Sequence, residues 1–417
     1  MPQHIVLAYS GGLDTSVAVH WLAKHHDARV TAVLVDLGQP IADLDAARER
    51  AIANGAEDCI VVDAKQELAE RFLAPAIHAN ALYEGAYPLA TALGRPLIAE
   101  KLVQAALDVG ADAVAHGCTG KGNDQVRIEA AVLALAPHLE VLAPQRTHPM
   151  TRDEVLRYAD ANDLSLPPII QSPYSTDENL WGRSVEGHDI EDPAASVPED
   201  AYAWTLSPAL APETPRTLTL TFEHGLPVAL NGHAMPLHEL IAHCNNLVGH
   251  HGVGRIDHVE NRLVGIKTRE VYEAPAALTI LTAKRALEGL CLTRDEAQVK
   301  TQLEQRFSEL VYDGKFFHPA TAAIGAFFQK MHEHTNGSVT LQAYKGGLTV
   351  LSRSSDDSLV DAGLATYADG DLFHHQASTG FIELWTLPLT VLARKRGPPV
   401  PLRPSQATEQ AEPPVSQ

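Results

Sequence analysis

Two short segments of the chain combine glycines with hydroxyl and charged side chains. The first, "SGGLDTS" over residues 10–16, directly follows an apolar stretch over residues 4–9. The second, "GCTGKGND" over residues 117–124, follows an apolar stretch over residues 112–116. Glycines let the backbone turn sharply, and a helix that begins after the turn adds unpaired N–H groups and the positive end of its dipole. Both segments therefore predict a binding site for an anion such as phosphate or pyrophosphate.

The first segment differs from two common phosphate-binding motifs. It lacks the Gly-Lys-[Ser/Thr] ending of a Walker loop and the G-x-G-x-x-G pattern of a dinucleotide-binding fingerprint. Taken alone, it is equally compatible with a plain glycine turn in which Asp14 or Thr15 caps the following helix.

The second segment carries more charge. Lys121 supplies a point charge suited to a phosphate, and Asp124 lies in the first turn of the predicted helix. Asn123 and Arg127 are four residues apart, so they share one face of that helix. Four polar side chains beside a second glycine loop favour a binding site over a purely structural turn.

Alternating strands and helices position both segments. The pattern predicts amphipathic helices over 15–26, 43–55, 65–79, 97–110 and 124–136. It predicts apolar strands over 4–9, 29–35, 58–62, 112–116 and 139–143. Apolar strands separated by helices indicate an α/β fold with a doubly wound, mainly parallel sheet covered on both faces. Ligands of such sheets bind at the carboxyl ends of the strands, where both glycine segments stand.

The pattern changes beyond about residue 146. Proline-rich loops come first, then an alternating hairpin over 217–232, and these elements predict a second, α+β domain. The segment 397–417 is rich in Pro, Gln and Glu, and we expect it to be disordered. Further helices are predicted near 236–248, 276–290 and 293–311, and further strands over 338–353.

Composition excludes several classes of protein. The 417 residues carry a formal charge of −20, which repels nucleic acid, and we find no basic patch that would offset it. The four cysteines form no CxxC pair, and the histidine pairs lack companions at metal-ligand spacing, so we expect no metal held by protein side chains. Apolar runs are short and the chain enters a strand directly. We therefore expect no membrane span, no secretory signal and a cytoplasmic location.

Several motifs together resemble a known family. The opening "AYSGGLDTS" is similar to the pyrophosphatase loop of the N-type ATP pyrophosphatases. From residue 4 to about residue 395 the chain resembles the argininosuccinate synthases, with "TGKGNDQVR" and "GVGRIDHVENR" the most specific stretches. The other similar stretches, in order and spacing, are "VDLGQ", "PYSTDENLWGRS" and "VYEAP".

The resemblance implies an ATP-dependent ligase. Such an enzyme condenses citrulline with aspartate through a citrullyl-AMP intermediate and releases AMP and pyrophosphate, with Mg²⁺ bound to the triphosphate. It implies a nucleotide-binding domain over 1–165, an α+β substrate-binding and oligomerisation domain over 166–382, and a C-terminal helix over 383–396 before the tail. It also implies a homotetramer with the C-terminal helices in the interface.

The resemblance also implies the site residues. Those expected to hold ATP are Ala8, Tyr9, Ser10, Gly11, Gly12, Leu13, Asp14, Thr15, Ser16, Val35 and Gly117. Those expected to hold aspartate are Thr119, Asn123 and Asp124. Those expected to hold citrulline are Tyr87, Asn123, Arg127, Ser175, Ser184, Glu260 and Tyr272.

The catalytic roles are less specific. Lys121 is expected to help stabilise pyrophosphate. Asp124 is either the general base for the aspartate amine or the group that orients it. Taken singly, several of these residues also suit structural roles: Glu260, for example, could pair with Arg255 or Arg262.

Two positions depart from the family pattern. The chain has Ala90-Thr91-Ala92 where the family usually has Gly-Thr-Ser, so a serine hydroxyl expected on citrulline is absent, a loss of roughly 0.5–1.5 kcal/mol. Glu270 stands where a glycine is usual.

Two other functions are alternatives: a tRNA-modifying enzyme and an ATP-binding regulatory protein. Acidity and the missing cysteine pair count against a tRNA-modifying enzyme, and only Ala92 favours an ATP-binding regulatory protein without catalysis.

Overall fold

The first part of the chain is built on a parallel sheet. The computed structural model describes residues 3–40, 43–167 and 173–398. Five strands follow the order β3-β2-β1-β4-β5, and all of their pairings are parallel. This confirms the predicted fold class and all five predicted strands, whose ends shift by one residue at most. The strands are β1 (His4–Ala8), β2 (Arg29–Asp36), β3 (Asp58–Asp63), β4 (Ala113–Ala115) and β5 (Glu140–Leu142).

The helices of this part of the chain agree with the predictions except at three places. The helices Pro144–Thr147 and Arg152–Ala161 were not predicted. The predicted helix 65–79 contains a π-helical stretch, Leu68–Leu73, whose Leu68, Ala69, Phe72 and Leu73 are all buried, so core packing overrides the regular helical period. The predicted helix 97–110 begins earlier, because Pro96 lies inside it rather than in its first turn. The helices are Leu13–His26, Leu44–Ala53, Lys65–Glu67, Ala74–His78, Ala90–Val109, Asp124–Leu135, Pro144–Thr147 and Arg152–Ala161.

Two antiparallel sheets follow. One has the order β10-β9-β8-β13-β14 and contains the predicted hairpin, which turns at His224 and Gly225. Its strands are β8 (Arg216–Glu223), β9 (Leu226–Leu230), β10 (His233–Ala234), β13 (Gly337–Tyr344) and β14 (Gly347–Ser354). Helices Leu237–Gly249, Pro275–Cys291, Arg294–Tyr312 and Pro319–Met331 accompany these sheets. The last of these helices was not predicted.

The other antiparallel sheet has the order β11-β12-β7-β6. Its strands are β6 (Ser175–Asn179), β7 (Gly182–Glu186), β11 (Arg255–Asn261) and β12 (Lys267–Glu273). The prediction of loops over β6 and β7 was wrong, because the prolines flank this hairpin rather than interrupt it.

Strand register gives this second sheet two chemically different faces. Tyr272 pairs with Ser184, and Ser184 pairs with Asp177, so the three side chains share one face. Glu273 and Arg183 are each one residue along, and they point to the opposite face. The face with Tyr272 can therefore line a cavity, while the face with Glu273 makes structural contacts.

Glu273 anchors the structural face. Its side chain is fully buried and accepts hydrogen bonds from the backbone N–H groups of Ala203, Trp204 and Thr205 at 2.8–2.9 Å. The hydroxyl of Thr205 and the guanidinium of Arg183 also donate to it, at 2.7 and 2.9 Å. The carboxylate thus ties the loop over 203–205 to the sheet.

The contacts of the chain separate residues 1–359 from residues 360 onward. The second unit contains the helix Ala377–Arg396, which begins six residues before the predicted helix 383–396. Apart from residues 397 and 398, the tail predicted to be disordered lies outside the described residues, and the predicted domain boundaries stay predictions. No helix of the described part is long and apolar enough to cross a membrane.

We expect Glu273→Ala to lower the free energy of unfolding by about 3–5 kcal/mol, because it removes the nearer ion-pair partner of the buried Arg183 guanidinium and leaves several N–H groups without an acceptor. Urea unfolding followed by tryptophan fluorescence measures this change. Glu199→Ala is the matched control, since Glu199 forms an ion pair with Arg255 but has a side chain that is 62% exposed. It should cost less than about 1 kcal/mol. Equal losses in the two variants would contradict the anchoring role.

Candidate active site

A cleft of about 390 Å³ opens at the carboxyl ends of β1, β2 and β4. Apolar side chains, including Val33, Val35, Leu37, Ile98 and Ile128, form part of its wall. We call it the nucleotide cleft. Its polar lining residues include Ser10, Thr15, Gln39, Arg95, His116, Thr176, Asp177, Glu178 and Asn179.

The glycine loop forms one end of this cleft. Gly11 has φ +75°, and a Cβ there would lie 3.2 Å from the Cβ of Ala47, so the turn depends on glycine. Gly12 is the N-cap of the helix Leu13–His26 and supplies no side-chain cap. The alternative in which Asp14 or Thr15 caps this helix is therefore wrong. The first N–H groups of the helix remain available to an anion.

The residues predicted to hold ATP fall into two groups. Ala8, Tyr9, Ser10, Thr15, Val35 and Gly117 line the nucleotide cleft, whereas Gly11, Gly12, Leu13, Asp14 and Ser16 do not. The hydroxyl of Tyr9 donates to the carbonyl of Ala47 at 3.1 Å and lies 3.3 Å from Oγ of the buried Ser16. Tyr9 and Ser16 thus also support the loop from the core side.

A second cavity adjoins the first, and we call it the acceptor pocket. Asp177 lines both cavities, so their walls meet at this carboxylate. The residues that line the acceptor pocket are Tyr87, Thr91, Gly122, Asn123, Asp124, Arg127, Asp177, Ser184, Glu186, Glu260, Arg262, Glu270 and Tyr272.

The structure brings together most of the predicted substrate residues. Six of the seven residues predicted for citrulline line the acceptor pocket, and the exception is Ser175, which pairs with Glu186 on the same sheet face. Of the residues predicted for aspartate, Asn123 and Asp124 line the pocket. Thr119 and Lys121 lie exposed on the loop that leads from one cavity to the other.

Arg127 is buried with part of its guanidinium unused. Its Nε donates to the carbonyl of Tyr312 at 3.1 Å, and its Nη1 donates to Asp124 Oδ1 at 3.1 Å. Its Nη2 is buried and has no hydrogen-bond partner among the described residues. Because a buried unpaired donor is costly, this nitrogen is suited to a substrate carboxylate.

Two tyrosines hold Glu260. The Tyr272 hydroxyl donates to Glu260 Oε2 at 2.6 Å, and the Tyr312 hydroxyl donates to Oε1 at 2.8 Å. Burial, together with nearby Tyr87 and Glu260, raises the pKa of Tyr272 well above its ordinary value, so its hydroxyl remains a donor. The ion pairs considered for Glu260 do not form: Arg255 pairs instead with Glu199, and Arg262 with Glu186 and Glu270.

Arg95 joins the two cavities. Its Nε donates to Asp124 Oδ2 at 2.9 Å, and its Nη2 donates to Asp177 in a short contact. Burial works against the Asp124 carboxylate, but Arg95 and Arg127 outweigh burial, and the pKa of Asp124 is lowered. Burial raises the pKa of Asp177 despite the attraction of Arg95, and the charge of Asp124 adds to this rise. Asp124 is therefore charged at neutral pH.

Sequence reasoning missed several residues of the site. Tyr312 donates to Glu260, accepts from Asn123 Nδ2 at 2.9 Å and stacks on Tyr83, yet it ends a helix far along the chain and has no local motif. Arg95 offered only a weak signal, its position four residues after Thr91 on a helix. Asp177 stands inside a quoted stretch but was not singled out.

The departure at position 92 has a different meaning in the structure. Ala92 is fully buried in the core and does not line the acceptor pocket, whereas Thr91 does. The expectation that its missing hydroxyl removes a group from the substrate wall is therefore not supported by the geometry. The regulatory alternative rested on Ala92 and loses that support.

The parallel sheet, the glycine loop after its first strand and the adjoining polar pocket define a nucleotide-dependent α/β enzyme. The comparisons agree with this class and refine it. The family model for the "Arginosuccinate synthase N-terminal HUP domain" matches residues 4–165, and the model for the "Arginosuccinate synthase C-terminal domain" matches residues 174–392.

The relatives give the same result over almost the whole chain. Argininosuccinate synthase of Oceanobacillus iheyensis is 50% identical over 396 residues, which cover 95% of each chain. That of Streptococcus gordonii is 49% identical over 391 residues, which cover 94% of this chain and 97% of the relative. The solved U34-tRNA thiolase NcsA of Methanococcus maripaludis aligns over 40% of this chain and 59% of its own at 17% identity and a TM-score of 0.27, too low to support an inference.

The chain belongs to the argininosuccinate synthase family. It is an ATP-using ligase that joins citrulline to aspartate in arginine biosynthesis.

We expect Tyr312→Phe to raise the KM for citrulline about 10-fold or more, because it removes a hydrogen bond to the Glu260 carboxylate, worth about 1.5–3 kcal/mol. Steady-state kinetics with citrulline varied measure this effect. Tyr83→Phe is the matched control, since the Tyr83 hydroxyl, in the part of the chain described, donates only to the exposed carbonyl of Asn261. Its citrulline KM should stay within about twofold of wild type, and the same rise in both variants would contradict the role of Tyr312.

Proposed function

We propose that the two adjoining cavities divide the reaction between them, with ATP in the nucleotide cleft and citrulline in the acceptor pocket. The observation that carries this proposal is the shared wall at Asp177, which lets the ureido end of one ligand meet the α-phosphate of the other. Proximity of this kind makes a large contribution to catalysis when the reacting atoms are aligned.

The chemistry explains why ATP is needed. A ureido carbon is a poor electrophile without a good leaving group. The ureido oxygen attacks the α-phosphorus, pyrophosphate leaves, and the carbon of citrullyl-AMP then carries AMP as its leaving group. The amine of aspartate attacks that carbon, AMP departs with the C–O electron pair, and the nitrogen loses a proton to give argininosuccinate.

The nucleotide contacts are assigned by geometry and by the family pattern. The backbone of the loop over 8–16 holds the phosphates with its N–H groups, and Val35 and Gly117 line the rest of the cleft. Arg95 is an added cation in that cleft, suited to charge on the phosphates. Lys121 is assigned to pyrophosphate, and its exposed side chain has no ion pair among the described residues.

Mg²⁺ fits this site as a partner of the triphosphate. No group of three or more His, Cys, Asp or Glu side chains suited to a metal occurs in the described part of the chain. Mg²⁺ commonly uses substrate phosphates, waters and one or two carboxylates, and Asp14 lies exposed in the first turn beside the loop. Bound there, the ion would neutralise phosphate charge.

The substrate contacts follow from the unused groups of the acceptor pocket. Arg127 Nη2 is assigned to the citrulline carboxylate and Glu260 to its α-ammonium. Tyr87, Asn123, Ser175, Ser184 and Tyr272 complete the citrulline contacts. Thr119, Asn123 and Asp124 are assigned to aspartate, with Asp124 orienting its amine or accepting its proton.

The family also suggests the state of the protein in the cell. We propose that the protein is a cytoplasmic homotetramer. It acts on small molecules and binds neither nucleic acid nor membrane. Large apolar side chains exposed along the helix Ala377–Arg396, such as Phe381, Trp385 and Leu389, support its use as an interface.

The proposal is tested by pyrophosphate release from ATP and Mg²⁺. We expect release to require citrulline, argininosuccinate to form only when aspartate is also present, and EDTA to stop both. Release that is indifferent to citrulline, from a protein that still binds ATP, would contradict the assignment of the acceptor pocket.

The assignment of Asp124 has its own test. We expect Asp124→Asn to raise the KM for aspartate far more than the KM for ATP, because its carboxylate is assigned to the aspartate amine and does not line the nucleotide cleft. Asp108→Asn is the control, since Asp108 is exposed on the helix Ala90–Val109 and, among the described residues, accepts only from Gln104. Equal effects of Asp124→Asn on both constants would sink the assignment.

A further inference from the structure

Glu270 adds a carboxylate to the wall of the acceptor pocket. It lies in β12 with only 5% of its surface exposed. Its register partner is His258, and Tyr272 lies two residues along, so Glu270 belongs to the pocket-facing side of the sheet. The function described above gives this side chain no role.

The charges around Glu270 do not balance. Three carboxylates, those of Glu186, Glu260 and Glu270, line this end of the pocket, while Arg262 is the one cation that pairs with any of them in the part of the chain described. Arg262 binds both Glu186 and Glu270 through the same nitrogen. Among the described residues, Glu260 receives hydrogen bonds only from neutral tyrosine hydroxyls. When all three carboxyl groups are ionised, this end of the pocket therefore carries more negative than positive charge.

One oxygen of Glu270 is also unused. Its Oε1 accepts from Arg262 and lies 3.3 Å from the Thr268 hydroxyl, which donates to it. Within the described residues, Oε2 has no hydrogen-bond donor. Burial raises the pKa of Glu270 to about 8, with Glu186 and Glu260 adding to the rise against the attraction of Arg262. With this pKa the carboxyl group of Glu270 is mainly protonated at neutral pH, and a cation at Oε2 favours its ionised form.

The position of Glu270 in the acceptor pocket indicates which cationic group of the substrate it would bind. The ureido end of citrulline must lie near Asp177, which both cavities share. Glu186 and Glu270 lie two residues along their strands from Ser184 and Tyr272, the pair next to Asp177, and Arg262 pairs with both of them, so these three groups lie toward the opposite end of the substrate. That end of citrulline carries its carboxylate and its α-ammonium.

We propose that Glu270 determines the selectivity of the acceptor pocket by receiving the substrate α-ammonium on Oε2, alongside Glu260. The inference rests on the function proposed above. It makes the pocket selective for an α-amino acid over an otherwise identical ureido acid.

The test compares two proteins, each with two substrates. Wild type and Glu270→Gln are assayed for pyrophosphate release with citrulline and with 5-ureidopentanoate, which is citrulline without its α-amino group. We expect Glu270→Gln to lower kcat/KM for citrulline about 10- to 100-fold and to leave that for 5-ureidopentanoate within about twofold. The KM values for ATP and aspartate should not change.

Two further variants separate this role from structural effects. Glu186→Gln removes the other acidic partner of Arg262. The side chain of Glu186 is 43% exposed. If it changes turnover, it should affect both substrates alike. Glu270→Ala keeps the experiment usable if Glu270→Gln does not fold, because it removes the carboxyl group without burying an amide in its place.

The outcomes are distinct. Equal losses for citrulline and 5-ureidopentanoate in Glu270→Gln would overturn the inference and leave the proposed function standing. No citrulline-dependent release from wild type would instead contradict the proposed function. In that case, calorimetric binding of the two ureido compounds to wild type and Glu270→Gln decides the role of Glu270 without turnover, and unchanged discrimination would overturn it.

Discussion

The guanidinium of Arg95, held between Asp124 and Asp177, is the contact on which the arrangement of the site depends. Arg95 and Asp124 belong to the parallel-sheet part of the chain, and Asp177 belongs to β6 of an antiparallel sheet. Removing one member of a largely buried charge group leaves the others without compensation. The contact therefore fixes the relation of β6 to the helix Asp124–Leu135 and keeps the wall between nucleotide and acceptor substrate in place.

Most polar side chains of the acceptor pocket already have hydrogen-bond partners within the protein, and a few polar atoms do not. Asn123, Glu260, Tyr272 and Tyr312 form a hydrogen-bonded set that holds its geometry without substrate. The groups left over are a buried guanidinium nitrogen of Arg127 and a carboxylate oxygen of Glu270. A free donor with positive charge and a carboxyl oxygen whose ionised form a cation stabilises are the complement of a zwitterionic amino acid. Preorganised groups of this kind avoid the cost of reorganisation during reaction.

Backbone strain contributes to the same pocket. Leu89 is fully buried and has φ +67°, a left-handed conformation that costs a non-glycine residue on the order of 1–3 kcal/mol. It caps the helix Ala90–Val109 between two pocket residues, and the Tyr87 hydroxyl accepts from the backbone N–H of Thr91 at 2.9 Å. The turn therefore directs both Tyr87 and Thr91 toward the substrate, while Ala92 turns into the core.

The sequence by itself determined the parallel sheet, both glycine loops and most residues of the pocket, because strand and helix periods and the loop motifs are local properties of the chain. It also determined the family, through motifs in a fixed order. Tertiary structure alone decided that Tyr312 reaches Glu260, that Arg95 bridges Asp124 and Asp177, that residue 92 is buried, and that Glu270 lines the acceptor pocket. Each of these depends on contacts between segments far apart in the chain or on the pairing of neighbouring strands. Neither composition nor periodicity specifies such contacts, since they arise only when the sheets and helices pack.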